Sequence, residues 1–241
     1  MTITNEQIAN LKDFLAVAIS VFWLIGFTGT ANADIIQIDE NLNDNLVPTG
    51  FSLSTTNAAG LANGRLEASA INGSALLQYN NLPGNLSQLD ISFRGHFGYS
   101  FWGTYTQVEM TGLPTLFHGV ADFNFGQVNR ASIGGVVSTT PFNFSEFVYS
   151  INIIDGQINY SGTDTATDTL AFNLSYVDAG ILLSDITQIG FRSHNTTGTE
   201  PVWLDDIEIQ LHTVDVPAPA TLFLFCFGLA GLGYLKRSRI G

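Results

Sequence analysis

The chain has 241 residues, a formal net charge of −13, 45% hydrophobic residues and only 12% charged ones. Lys12, Lys236, Arg237 and Arg239 lie at the ends, which leaves Arg65, Arg94, Arg130 and Arg192 against 19 acidic residues between the two terminal apolar runs, a net −15. A surface that acidic repels phosphate backbones, so nucleic-acid binding is excluded, and it favours cations, calcium included. The single cysteine, Cys226, sits inside the C-terminal apolar run. No disulfide or thiolate metal site is therefore available to the middle of the chain.

In chain order, the first element is Phe14–Phe27, FLAVAISVFWLIGF, an unbroken apolar core of signal-peptide length with Lys12 before it. Ala31-Asn32-Ala33 follows. Small side chains at Ala31 and Ala33 fit the narrow pocket of a signal peptidase, so cleavage is expected between Ala33 and Asp34. Residues 1–33 thus read as a signal helix that is removed on export.

The next stretch, residues 34–213, is of single-domain size, roughly 180 residues. Period-two alternation runs through it. Leu89, Ile91 and Phe93 alternate with Asp90, Ser92 and Arg94. Phe147, Tyr149, Ile151 and Ile153 alternate with Val148, Ser150 and Asn152, and Leu170–Tyr176 behaves alike. Further strands are expected over Ile35–Asp39, Phe51–Thr55, Arg65–Ile71, Ala75–Tyr79, Thr106–Met110, Phe117–Phe125, Ile186–Phe191 and Trp203–Leu211. Asn63-Gly64, Asn72-Gly73, Pro83-Gly84 and Asp155-Gly156 mark turns, and Asp155-Gly156 is the clearest hairpin. No stretch holds a helical period. The expected fold is all-β: two antiparallel sheets packed as a jelly-roll-like sandwich. Thr213–Val216 reads as the linker that ends it.

Chemistry-bearing patterns are few. None of His96, His118, His194 and His212 stands in a zinc-ligand spacing, and neither a nucleophile elbow nor a phosphate-binding loop occurs. The chain is expected not to be an enzyme. A secreted glycan-active enzyme, glycosidase or lyase, is the alternative, and it would need two carboxylates converging in a cleft. Phe93–Tyr105, FRGHFGYSFWGTY, concentrates aromatic rings among small residues. Trp102 could offer a stacking platform to a sugar ring, with His96 or Tyr105 bonding its hydroxyls; filling the core of the sandwich is the competing use of these rings.

In the last strand, Trp203, Asp205, Ile207, Ile209 and Leu211 fall on one face by simple alternation. Asp205 would then point with the apolar set, where a carboxylate needs a hydrogen bond, an ion pair with Arg192 nearby, or a metal. The Gly190-Phe191-Arg192 … Leu204-Asp205-Asp206-Ile207 ending resembles the last strands of carbohydrate-binding-module-like and lectin-like jelly rolls. That resemblance implies a structural calcium site, with Asp205 and Asp206 as candidate ligands. Asp164 and Asp168 read better as an acidic turn than as a cation site.

The end of the chain, residues 214–241, has three parts: Val216-Pro217-Ala218-Pro219, an apolar run Leu222–Leu235, and the basic residues Lys236, Arg237 and Arg239. The prolines keep the chain extended, the run can enter a bilayer as a helix, and the basic end stays cytoplasmic. As a helix, Thr221–Leu235 covers about 22 Å against about 30 Å of hydrocarbon, a short anchor. This tail resembles the PEP-CTERM sorting signal of bacteria that export exopolysaccharide, with Ala218 where the name-giving glutamate stands. The resemblance implies an inner-membrane-anchored precursor and recognition by an exosortase near Pro217 and Pro219. It also implies delivery to the cell surface or a biofilm matrix, where polysaccharide would be the partner.

Overall fold

The computed structural model describes residues 33–97, 103–123, 126–141, 145–197 and 200–214. The signal-peptide and sorting-tail expectations, with Ala31 and Val216–Arg239, lie outside these residues, as do the two expected flanking helices. Among the described residues no helix is long and apolar enough to cross a membrane.

Fifteen strands are described: β1 (Ala33–Glu40), β2 (Phe51–Thr56), β3 (Ala59–Ala62), β4 (Arg65–Ala68), β5 (Gly73–Tyr79), β6 (Leu86–His96), β7 (Tyr105–Met110), β8 (Leu116–Phe123), β9 (Gly126–Ile133), β10 (Val136–Pro141), β11 (Phe147–Ile154), β12 (Gln157–Asp164), β13 (Thr169–Val177), β14 (Ile189–Asn195) and β15 (Val202–Val214). One sheet has eight strands in the order β13-β12-β11-β6-β15-β4-β3, with β1 beside β15; the other has seven, β10-β9-β8-β7-β14-β5-β2. The chain crosses between sheets at β1–β2, β2–β3, β4–β5, β5–β6, β6–β7, β10–β11, β13–β14 and β14–β15. The result is an antiparallel sandwich of the expected class.

Short turns set the register. Asp155 and Gly156, both at positive φ, join β11 to β12, and Asn63 and Gly64 do the same for β3 and β4. Both are two-residue hairpins of the kind that matches strand twist. Gly134-Gly135 joins β9 to β10 in the same way.

One core fills the space between the sheets. Leu89, Ile91 and Phe93 of β6 and Phe147, Tyr149, Ile151 and Ile153 of β11 meet Val108, Leu116, Ile133, Ile189 and Phe191 of the other sheet. Phe93 stacks on Tyr149 with centroids 4.6 Å apart and meets Phe191 edge-on at 5.7 Å. Burying each such ring contributes on the order of 2–3 kcal/mol.

Several boundaries differ from the sequence expectation. β4 stops at Ala68 rather than Ile71; Phe117–Phe123 of the expected Phe117–Phe125 strand lies in β8, residues 124 and 125 lie outside the described residues, and β9 runs back antiparallel from Gly126. β14 begins at Ile189 because a 3-10 turn occupies Leu183–Asp185. Thr213 and Val214 are not linker. Thr213 Oγ1 donates to Asp34 O at 3.2 Å, and Val214 N donates to Asn85 O at 3.1 Å while Asn85 Nδ2 donates to Val214 O at 2.6 Å. These bonds keep β15 in the sheet to its last residue.

Candidate functional site

Alternation aims Val108, Met110, Phe191 and Ala131 into the core, so their neighbours Tyr105, Gln107, Glu109, Arg192, His194 and Arg130 face outward from the seven-stranded sheet. Cross-strand register lines these side chains up. His194 lies opposite Tyr105, Tyr105 opposite Gly119, and Gly119 opposite Arg130. In the next row Arg192 lies opposite Gln107 and Gln107 opposite Phe117.

The half-buried ring of Tyr105 stacks on His194 at 4.7 Å and leans on Phe117 at 5.1 Å. Beside it, Arg192 Nε donates to Glu109 Oε1 at 2.6 Å, Arg192 Nη1 donates to Ser74 Oγ at 3.1 Å, and Gln107 Nε2 donates to Glu109 Oε1 at 2.8 Å. Burial raises the Tyr105 pKa, so the phenol stays protonated. Burial first, then the Arg192 charge, lowers the pKa of His194, which keeps the imidazole neutral at pH 7. The face thus presents an aromatic stack bordered by fixed donors and acceptors.

The third member of this arrangement is a missing side chain. A Cβ at Gly119 would run into the carbonyl oxygen of Thr104 and come to 2.6 Å from Tyr105 Cβ. Only glycine lets β7 and β8 approach this closely while Tyr105 keeps its seat.

The structure separates the residues that the sequence grouped as a sugar platform. Tyr105 is on the outer face of the seven-stranded sheet. His96 ends β6 in the other sheet, and faces outward there beside Trp203, with rings 5.8 Å apart. Trp102 lies outside the described residues. The separation follows from the chain crossing between sheets from β6 to β7. Trp203 is an outer-face residue too, since Val202 and Leu204 on either side enter the core; the Arg65 guanidinium sits 4.4 Å from its ring.

Asp205 does not join the apolar set. β15 carries a bulge between Asp205 and Glu208, and Asp206 adopts a positive φ of 48°. The extra residue resets the alternation, so Leu204 and Ile207 point inward while Asp205 and Asp206 do not. Asp205 Oδ1 accepts from the Asp206 N–H at 2.8 Å, and desolvation raises its pKa. Arg192 is not its partner, being on the opposite sheet with Glu109. Arg94 is the cation at this corner, 2.6 Å from Glu146 and 3.1 Å from Asp206. Among the described residues no three His, Cys, Asp or Glu side chains gather as a metal cage. Asp164 forms the turn before β13, its Oδ1 accepting from the N–H groups of Ala166 and Thr167.

Two of the surface hollows among the described residues carry acidic side chains. A groove of about 380 Å³ is lined by Asn129, Thr140, Asp164, Thr167 and Thr169 with Phe147. A smaller hollow of about 130 Å³ on the eight-stranded sheet holds two carboxylates, Asp90 and Glu208. Asp90 accepts from Gln88, Asn152 and His212, with heavy-atom distances of 2.7, 2.7 and 2.8 Å. Glu208 accepts from Gln210 at 2.7 Å, Gln37 at 3.1 Å and Ser92 at 3.5 Å. Both carboxylates are engaged by neighbouring side chains.

The sandwich is a lectin-like jelly roll. Its backbone is similar to that of the Lotus tetragonolobus seed lectin (TM-score 0.57, 8% identity, covering 75% of this chain and 100% of that one). It is also similar to the CBM2 module of the Lactobacillus casei BL23 phage J-1 evolved Dit (TM-score 0.53, 13% identity, 77% and 99%). The exoplasmic/lumenal domain of VIP36 in its Ca2+/Man2-bound form gives a TM-score of 0.51 at 8% identity, over 77% of this chain and 90% of that one. Likeness at these identities is one of fold. Residues 215–238 match the PEP-CTERM protein-sorting motif. Comparison of the sequence with curated proteins finds no match.

Proposed function

We propose that this is an exported surface protein, sorted through its PEP-CTERM motif by an exosortase, whose sandwich binds carbohydrate and performs no chemistry on it. The observation that carries the binding reading is the Tyr105–His194–Phe117 stack beside the Arg192–Glu109–Gln107 network on the outer side of the seven-stranded sheet. Sugar C–H groups pack on the negative face of an aromatic ring, and fixed polar neighbours orient the hydroxyls. The lectin-like fold supports the same reading. The donor-saturated Asp90 and Glu208 favour binding over hydrolysis, because a glycosidase needs a carboxyl free to exchange a proton.

In this reading the precursor stays in the inner membrane through its C-terminal apolar run. Signal peptidase frees Asp34, and the processed protein joins the cell surface or its exopolysaccharide matrix. A bound calcium ion belongs to the proposal, since VIP36 carries one in the matching fold. A melting temperature raised by calcium and lowered by EGTA supports the ion; an unchanged one removes it.

The test of binding is a pull-down of the protein on immobilised polysaccharides, wild type against Tyr105→Ala. Loss of roughly ten-fold or more in affinity for the variant supports the face, given the scale of single aromatic anchors. Wild-type and variant protein retained equally would move any site elsewhere. Mass spectrometry of the exported protein checks the sorting half: an N-terminus at Asp34 and a C-terminus that lacks Lys236–Gly241 are expected.

A further inference from the structure

We propose that the glycan held on the seven-stranded sheet is an acidic one, with its carboxylate on Arg130 and its ring on Tyr105; this rests on the carbohydrate-binding reading above. Three of the four arginines between the apolar runs have partners. Arg94 is held by Glu146 and Asp206, Arg192 by Glu109, and Arg65 lies over Trp203. Arg130 has no ion pair, hydrogen bond or ring contact among the described residues, and its Nε is buried without an acceptor. In a stretch with 19 acids for four arginines, an arginine without a carboxylate does not reflect a shortage of them. A buried N–H without an acceptor is costly, and a bound anion would remove that cost.

Position points to the same ligand. Arg130 is two strands from Tyr105 on one cross-strand row, and the residue between them, Gly119, has no side chain. At the usual strand spacing the two residues stand roughly 10 Å apart, which suits a ring on the tyrosine with its substituent reaching the guanidinium. The charge also suits it. Among the described side chains on this face, Arg130 and Arg192 face a single acid, Glu109, whereas Asp90, Asp206 and Glu208 lie on the outer face of the other sheet. A guanidinium fork binds a carboxylate through two parallel N–H bonds, which a neutral sugar cannot reproduce.

The experiment measures binding of the full chain in detergent to polygalacturonate, to neutral galactan of matched length, and to single-stranded DNA as a polyanion without sugar acids in its chain. Wild type is expected to bind polygalacturonate at least ten-fold tighter than galactan and not to bind DNA. Arg130→Gln brings the two polysaccharides within about two-fold and leaves galactan binding intact, whereas Tyr105→Ala weakens both. Arg130→Lys keeps the charge and loses the fork, and retains part of the preference; it serves if the glutamine variant fails to fold. Equal wild-type binding to both polysaccharides, or a preference that survives Arg130→Gln, overturns the proposal and leaves the carbohydrate reading standing. DNA bound as tightly as polygalacturonate also overturns it, since any polyanion would then do. If neither polysaccharide binds, both readings fall.

Discussion

The imidazole Nδ1 of His118 lies 2.8 Å from the hydroxyl oxygen of Tyr149, a polar contact that crosses the sandwich from one sheet to the other. Both side chains are fully buried, and Phe97, Phe147 and Phe172 surround the imidazole with ring centroids 4.7–4.8 Å away. Desolvation lowers the His118 pKa from 6.5 to about 3 and raises that of Tyr149. The pair is therefore neutral at any ordinary pH.

Acid should weaken this sandwich through His118. The unfolded chain takes up a proton near pH 6.5 and the folded one only near pH 3, so stability is full above pH 6.5 and falls with pH between those values. From pH 6.5 to 4.5 the loss is about 2 kcal/mol from this one group. Thermal melts across that range check it. His118→Leu should flatten this part of the curve whatever it does at pH 7.

Tyr149→Phe tests the same contact without a titration. It keeps the ring that stacks on Phe93 and removes the partner of the His118 nitrogen and the 3.4 Å contact from Thr106 Oγ1. A buried polar atom left without a partner costs about 1–3 kcal/mol. Urea denaturation should show the midpoint move down with an unchanged slope.

Gly119→Ala should damage both stability and binding. The added methyl has backbone in its way, the Thr104 oxygen and Tyr105 Cα among it. Overpacking of this kind costs about 1–3 kcal/mol, and the strands must part beneath the Tyr105 stack. A lower melting temperature together with weaker polysaccharide retention is expected; Ser132→Ala, on the same outer face, should change neither.

Asp206→Val should strain β15 at its bulge. The residue holds φ at 48°, where a β-branched side chain is disfavoured by about 1–2 kcal/mol. Its contact with Arg94 is half-exposed and adds little. Asp206→Asn, which tolerates this backbone, should stay within about 0.5 kcal/mol of wild type by thermal melting.

The strand pattern was legible wherever one face was polar and the other apolar. β6, β11 and β13 show that alternation in their side chains, and Asp155-Gly156 announces its hairpin. β9 and β10 were harder to see. Gly126–Ile133 carries Asn129, a polar residue, on its buried face, and Val136 and Val137 of β10 are both exposed, which blurs the period. The Gly134-Gly135 turn between them was the available signal. For the site, Tyr105 was readable as a ring in an aromatic cluster, but its partners were not. His194, Phe117 and Arg130 come from three other strands, and only the pairing order brings them into line. The Asp205 reading failed for a local reason: one bulged residue shifts every later side chain by one face.

Asn85 grips the final residue of β15 from both sides, accepting from its N–H and donating to its carbonyl, and the sorting motif begins at the very next residue. With its last residue held on both its N–H and its carbonyl, β15 is clamped at the very tip, and a chain that lost the Asn85 side chain would fray from that end first.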